Sequence, residues 1–256
     1  MKIKKLLFLT LAIGIFSCQD NDKFKVDCLP TNLQNGVIAF YPFNGGSLND
    51  ESSNLNNVTN PTSAIPSTDR NGNPNCAFQF DNSQTNEEFL TTTNSNFLNG
   101  LDEFSVSLWY QPMDSTISGG GVEVLLGRGD TRRCPDRRGE WSVGLYDCRR
   151  AVFGHNNSVW ANPASGIGCA GGGAIDTWYH VVATKSGDNY KIYFNGNLDE
   201  EATGNANCSN LHIAQDIGDL FIGRNYTGKI DDILIYKREL SPSEITELFK
   251  LEACCQ

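Results

Sequence analysis

Seven of the ten arginines in this 256-residue chain lie between positions 128 and 150. The densest run reads Arg128-Gly129-Asp130-Thr131-Arg132-Arg133-Cys134-Pro135-Asp136-Arg137-Arg138-Gly139-Glu140-Trp141. A guanidinium presents a planar fork of donors that matches carboxylate and sulfate oxygens. Arg128, Arg132, Arg133, Arg137 and Arg138 are therefore candidates to hold the oxyanions of an acidic ligand, uronic or sulfated. Two tryptophans are candidate partners for them. Trp141 ends the run, and Trp160 sits in the polar stretch Asn156-Asn157-Ser158-Val159-Trp160-Ala161-Asn162-Pro163. An indole face is apolar and its rim is wet, which suits stacking on a sugar ring. The competing reading is plain surface pairing with Asp130, Asp136, Glu140 and Asp147, where exposed ion pairs contribute roughly 0–1 kcal/mol each. Arg128-Gly129-Asp130 also spells an adhesion tripeptide, but a turn at Gly129 after a strand accounts for it more simply.

These residues stand out because the rest of the chain is acidic. The formal net charge is −10. Nucleic-acid binding rests on neutralising phosphates, so a nucleic-acid partner is not expected. Lys2, Lys4 and Lys5 precede an apolar run from Leu6 to Phe16 that is too short to span a bilayer and has the layout of an export signal. Ser17-Cys18 closes it in the manner of a bacterial lipoprotein cleavage site. The expected layout is a signal peptide over 1–17, a lipidated Cys18 with a flexible tether over 18–30, and one folded domain over 31–256. The expected place is the outer membrane of a Gram-negative bacterium, facing outward.

Of nine cysteines, eight remain after Cys18. An even number in an exported chain implies disulfides. Cys134 with Cys148 and Cys169 with Cys208 are two candidate pairs. Cys28 would pair with Cys254 or Cys255, leaving Cys76 the remaining partner. A disulfide across Cys134 and Cys148 would pre-organise the arginines and lower the ordering cost of binding.

The elements that must carry these residues read as strands. Val37–Tyr41, Cys76–Phe80, Phe104–Trp109, Glu123–Leu126, Trp141–Tyr146, Tyr179–Thr184, Tyr190–Phe194, Leu220–Gly223 and Ile230–Tyr236 are short β-type runs with turn residues between them. Asn195-Gly196 suits a turn with φ > 0. Ser241-Pro242-Ser243-Glu244 offers an N-cap, a proline at the first helical position and a capping-box glutamate. Ile245, Leu248 and Phe249 then share one face. Many strands and one short helix predict an all-β sandwich.

Several of these motifs together resemble a known family. Gly36-Val37-Ile38-Ala39-Phe40-Tyr41-Pro42-Phe43 with Asn49-Asp50-Glu51-Ser52-Ser53-Asn54 is similar to the opening of laminin-G-like domains of the concanavalin A-like superfamily. Phe104 to Tyr110 resembles the family's central strand. Trp178 to Thr184 with Lys191 to Gly196 resembles its most recognisable hairpin. Leu220 to Arg224, Gly228 to Ile233 and the Ser241 helix resemble its ending. The resemblance covers 36–110 and 178–250, and implies a two-sheet antiparallel jelly-roll sandwich. It places Trp109 and Trp178 in the core. It also implies one structural Ca²⁺, with Asp50 and Asp231 as ligands and Asn44 standing where relatives carry aspartate. Hard oxygen donors suit that ion.

The family includes lectins, adhesion modules and some glycoside hydrolases and lyases, so the site must decide the function. A retaining glycosidase needs two carboxylates about 5 Å apart. No Glu-x-Asp-x-x-Glu run is present; Glu123 and Glu140 stand singly, and His155, His180 and His212 are scattered. Asp231 and Asp232 are adjacent, so regular strand geometry points them to opposite faces. A non-enzyme is expected: a surface module that binds glycans through loops on a rigid sheet. The alternative is a protein–protein adhesion or scaffold module.

Overall fold

The computed structural model of the chain describes residues 28–83, 87–92, 94–114, 123–129, 141–146, 149–155, 159–161, 175–203 and 218–255. The strands are β1 (Val37–Tyr41), β2 (Ile65–Ser67), β3 (Ala77–Phe80), β4 (Leu90–Thr92), β5 (Glu103–Pro112), β6 (Glu123–Arg128), β7 (Trp141–Tyr146), β8 (Arg150–His155), β9 (Val159–Ala161), β10 (Tyr179–Ser186), β11 (Asn189–Phe194), β12 (Asn197–Thr203), β13 (Leu220–Ile222) and β14 (Gly228–Tyr236). They form two antiparallel sheets. The larger runs β12-β11-β10-β5-β14-β3-β2, with β1 also paired to β14. The smaller runs β4-β13-β6-β7-β8-β9. The architecture is a two-sheet jelly-roll sandwich.

Alternation on β5 explains how one sheet serves two cores. Phe104, Val106, Leu108 and Tyr110 point between the sheets. There they join Val181 and Ala183 of β10, Val143 and Leu145 of β7, and Phe153 of β8. Full burial of such a side chain contributes roughly 1.5–3 kcal/mol. Ser105, Ser107 and Trp109 take the opposite face. That face is closed by the ends of the chain. Helix α1 (Thr31–Gln34) brings Leu33, and helix α2 (Pro242–Lys250) brings Ile245 and Leu248, onto Phe40, Val182 and Leu234.

Local chemistry sets α2 in place. Ser241 Oγ accepts from the Glu244 amide at 3.3 Å, and the Glu244 carboxylate accepts from the Ser241 amide at 2.8 Å. Arg238 clamps the same carboxylate through two nitrogens at 2.7 and 3.0 Å. Asn195 (φ 48°) and Gly196 (φ 79°) turn β11 into β12. A Cβ at Gly196 would lie 3.0 Å from the Phe249 ring, so the turn's handedness and the helix contact both favour glycine. Beyond α2 the chain ends in a strap. Cys254 is bonded to Cys28, and Cys255 to Cys76 at the entry to β3. The cysteines Cys134, Cys148, Cys169, Cys208 and Cys18 lie outside the described residues.

Candidate functional site: two outer surfaces of the sandwich

The order β6-β7-β8-β9 brings sequence-distant candidates together. Residues 130–140 connect Arg128 at the end of β6 to Trp141 at the start of β7, and those two residues are register partners. Trp141 also pairs with His155, and His155 with Val159, at the end of β8 and the start of β9. The arginine-bearing connection and the β8–β9 turn therefore leave the smaller sheet at the same end. Trp160 is one residue into β9, the edge strand, opposite Gly154. Arg132, Arg133, Arg137 and Arg138 lie outside the described residues, as does the side chain of Trp160.

Arg128 and Trp141 do not belong to the surface at that end. Trp141 is 2% exposed. It faces inward with Val143 and Leu145, its ring 5.2 Å from that of Phe104, and is not available to stack on a ligand. Arg128 is 1% exposed. Its guanidinium donates to the Leu98 carbonyl at 3.0 Å and to Asn99 Oδ1, and it knits β6 to the neighbouring loop. Burial also removes the arginine that the adhesion tripeptide would have to display.

At the opposite end of the same strands, Arg149 turns inward and meets Glu123. The Nη2 to Oε1 distance is 3.2 Å, and both side chains are buried. Burial pushes the Glu123 carboxyl up to about 7, with Arg149 pulling in the other direction. Glu123 is thus held inside the sandwich by a cation, a structural arrangement.

The outer face of the larger sheet carries a second cluster. Asp69 closes its own loop by accepting from the amides of Asn71 and Asn73, each at 2.8 Å, which aims Arg70 at the sheet. Arg70 Nη1 reaches Asp231 at 3.0 Å and Asp232 at 2.7 Å. Regular alternation would have sent these carboxylates to opposite faces. Instead β14 carries a bulge between Asp231 and Leu234, and Asp232 takes φ 45°. The bulge brings both onto one guanidinium. Burial raises both carboxyls above their usual range, their mutual repulsion adds to this for Asp231, and Arg70 opposes it. The Arg70 guanidinium lies 4.5 Å over the Trp109 ring, and Phe249 stacks on Trp109 at 5.7 Å. Trp109 is thus packed outside the sandwich core, beneath α2, while Trp178 is half-buried at the start of β10.

Ser107 Oγ lies 2.9 Å from His180 Nε2, the contact a nucleophile and its base would make. Both residues are buried. Burial, with Arg70 nearby, pushes the His180 ring down to about 3. A base that weak has little drive to take a serine proton at neutral pH. Asp231 and Asp232 share one cation side by side and do not face each other across a cleft. Neither of these two groups of described residues forms a catalytic arrangement.

Two of the three expected calcium ligands, Asp50 and Asp231, are committed elsewhere. Asp50 Oδ1 accepts from the amides of Phe40 and Ser52, and Oδ2 from Ser52 Oγ and the Asn56 amide, at 2.7–2.8 Å. Asn44 donates to Glu51 at 3.0 Å. Asp231 accepts from Arg70 and from the Asp232 amide. The Asp50 and Asp231 oxygens already face N–H and O–H donors and do not fit a calcium ion as arranged, whereas Asn44 Oδ1 is buried without a protein partner.

Comparison with known proteins agrees with this architecture. A laminin-G-like family model, described as the concanavalin A-like lectin/glucanases superfamily, matches residues 82–246, more than half of the chain. No curated protein sequence matches it. Among solved structures, domain 4 of AbnA, a GH43 extracellular arabinanase from Geobacillus stearothermophilus in complex with arabinotriose, superposes with a TM-score of 0.62. It is 18% identical, and the match covers 84% of this chain and 98% of that one. The binding domain of botulinum neurotoxin DC in complex with SialylT has a TM-score of 0.59 at 17% identity, over 84% of this chain. A botulinum neurotoxin type C structure, whose cell entry depends on two ganglioside molecules, has a TM-score of 0.62 at 18% identity, over 86% of this chain. The chain spans about half of each neurotoxin structure, 51% and 52%. By the family match and the two-sheet topology together, the chain belongs to the laminin-G-like branch of the concanavalin A-like lectin/glucanases superfamily.

Proposed function

We propose that this protein is a non-catalytic glycan-binding module whose ligand meets the corner of the smaller sheet where residues 130–140 and β9 converge. The observation that supports this is the strand order β6-β7-β8-β9, in which Arg128 pairs with Trp141, Trp141 with His155 and His155 with Val159 at one sheet end. Arg132, Arg133, Arg137 and Arg138 would engage carboxylate or sulfate groups, and Trp160 would stack on a sugar ring. The ligand class is an acidic polysaccharide. Solved relatives of this fold that carry arabinotriose or sialylated ligands support glycan recognition in general. The export signal and Cys18 support a lipid-anchored position at the outer membrane, and a cell-surface polymer is a reachable ligand from there. The test is an array of neutral, uronic and sulfated glycans probed with the oxidised protein at low and high salt. Binding to acidic glycans that weakens with salt is expected. Silence from a folded sample would move the reading to a protein partner.

A further inference from the structure

The outer face of the larger sheet carries a half-open pocket that the proposed glycan site does not use. It lies between β5, β10, β14 and the C-terminal strap, and has room for a water-sized guest. Its polar walls are Ser107, His180, Arg70, Asp232 and Glu252, and Leu234 and Leu248 stand among the apolar ones. Two atoms of these walls are buried without a protein partner, His180 Nδ1 and Asp232 Oδ1. Their residues are 1% and 7% exposed. A buried polar atom left bare carries its full desolvation penalty, so native structures pair such atoms with protein or water.

Hydrogen-bond accounting assigns the roles. The ring of His180 is neutral, so one nitrogen donates and the other accepts. Ser107 Oγ is within reach of Nε2. Asp232 Oδ2 receives Arg70 Nη1 at 2.7 Å and the Cys254 amide at 3.1 Å, the pattern of an ionised carboxylate, and Oδ1 remains as an acceptor. An anion would confront that carboxylate, and a bare cation would confront the Arg70 guanidinium beside it. A molecule that accepts on one side and donates on the other satisfies both.

We propose that a single bound water occupies this pocket, accepting from His180 Nδ1–H and donating to Asp232 Oδ1. The bridge completes a chain from Ser107 through His180 and the water to Asp232, and so to the amide of Cys254. It links β5, β10 and β14 to the strap that closes this face. The inference is independent of the glycan reading.

The test is side-chain ¹⁵N NMR on the full oxidised protein at neutral pH, with a search for magnetisation transfer from His180 Nδ1–H to a slowly exchanging water. The expected result is an Nδ1-protonated, Nε2-bare ring with a cross-peak to water. In Ser107→Ala the same tautomer is expected to persist, because the water and Asp232 set it. An Nε2-protonated ring in the unaltered protein overturns the proposal. So does an Nδ1 proton that shows no transfer to water, or a crystal structure that shows Nδ1 bonded directly to a protein atom.

Discussion

The two outer surfaces of this sandwich make opposite use of similar residues. The larger sheet's outer face holds an arginine, a tryptophan, a histidine, a serine and two aspartates, a set that by residue type would pass for a ligand site. It is spent internally. Arg70 is shared by Asp231 and Asp232 and lies over Trp109, and α2 with the disulfide-bonded strap covers the group. At the smaller sheet, four arginines lie in sequence between β6 and β7, and Trp160 belongs to the edge strand β9. Chemistry closed by the chain's own ends stabilises the fold, whereas the proposed glycan site uses residues that connect strands, where binding groups commonly sit.

The largest effect should come from breaking the closed face. Arg70→Met leaves two buried aspartates without their cation and is expected to cost about 3–5 kcal/mol in denaturant unfolding. A cost near zero would mean that the cluster is not structural. Removing the strap's outer bond with Cys76→Ser and Cys255→Ser is expected to cost roughly 2–4 kcal/mol, read the same way. The two sheets should also respond to pH with opposite sign. Glu123 is raised from 4.5 to about 7, so its contribution is fully present below 4.5 and is lost as pH rises through about 7. His180 is lowered from 6.5 to about 3, so its contribution is present above 6.5 and is lost as pH falls toward about 3. Glu123→Gln should remove the first slope, a change on the order of 2–3 kcal/mol across that window, in urea titrations at stepped pH. The smallest effect is expected from Ser241→Ala, which loses one cap of α2 and about 1 kcal/mol of stability.

The fold was largely legible in the sequence because strand periodicity and caps are local. The alternation in β5 and the capping box at Ser241 both stand in the structure. The edge strand β12 escaped notice because Asp199, Glu200 and Glu201 disfavour strand by propensity, yet charges suit an edge. The burial of Trp141 was available in principle: Trp141, Val143 and Leu145 alternate, so the ring shares the phase of the core. Arg128 offered no such signal, since its partners Leu98, Asn99 and Gly218 come from other loops. The aspartate pair was misjudged because a bulge cancels alternation, and nothing local announces one. Arg70 was missed for the same reason, as its partners are 161 and 162 positions away.

The most direct test of the account replaces one tryptophan on each surface. Affinity for the acidic glycan selected by the array would be measured by calorimetry for Trp160→Ala and Trp109→Ala, each checked for folding. The account requires Trp160→Ala to lose binding and Trp109→Ala to keep it. Binding that survives Trp160→Ala but fails in a folded Trp109→Ala protein would place the site on the face described here as closed, and would contradict the account.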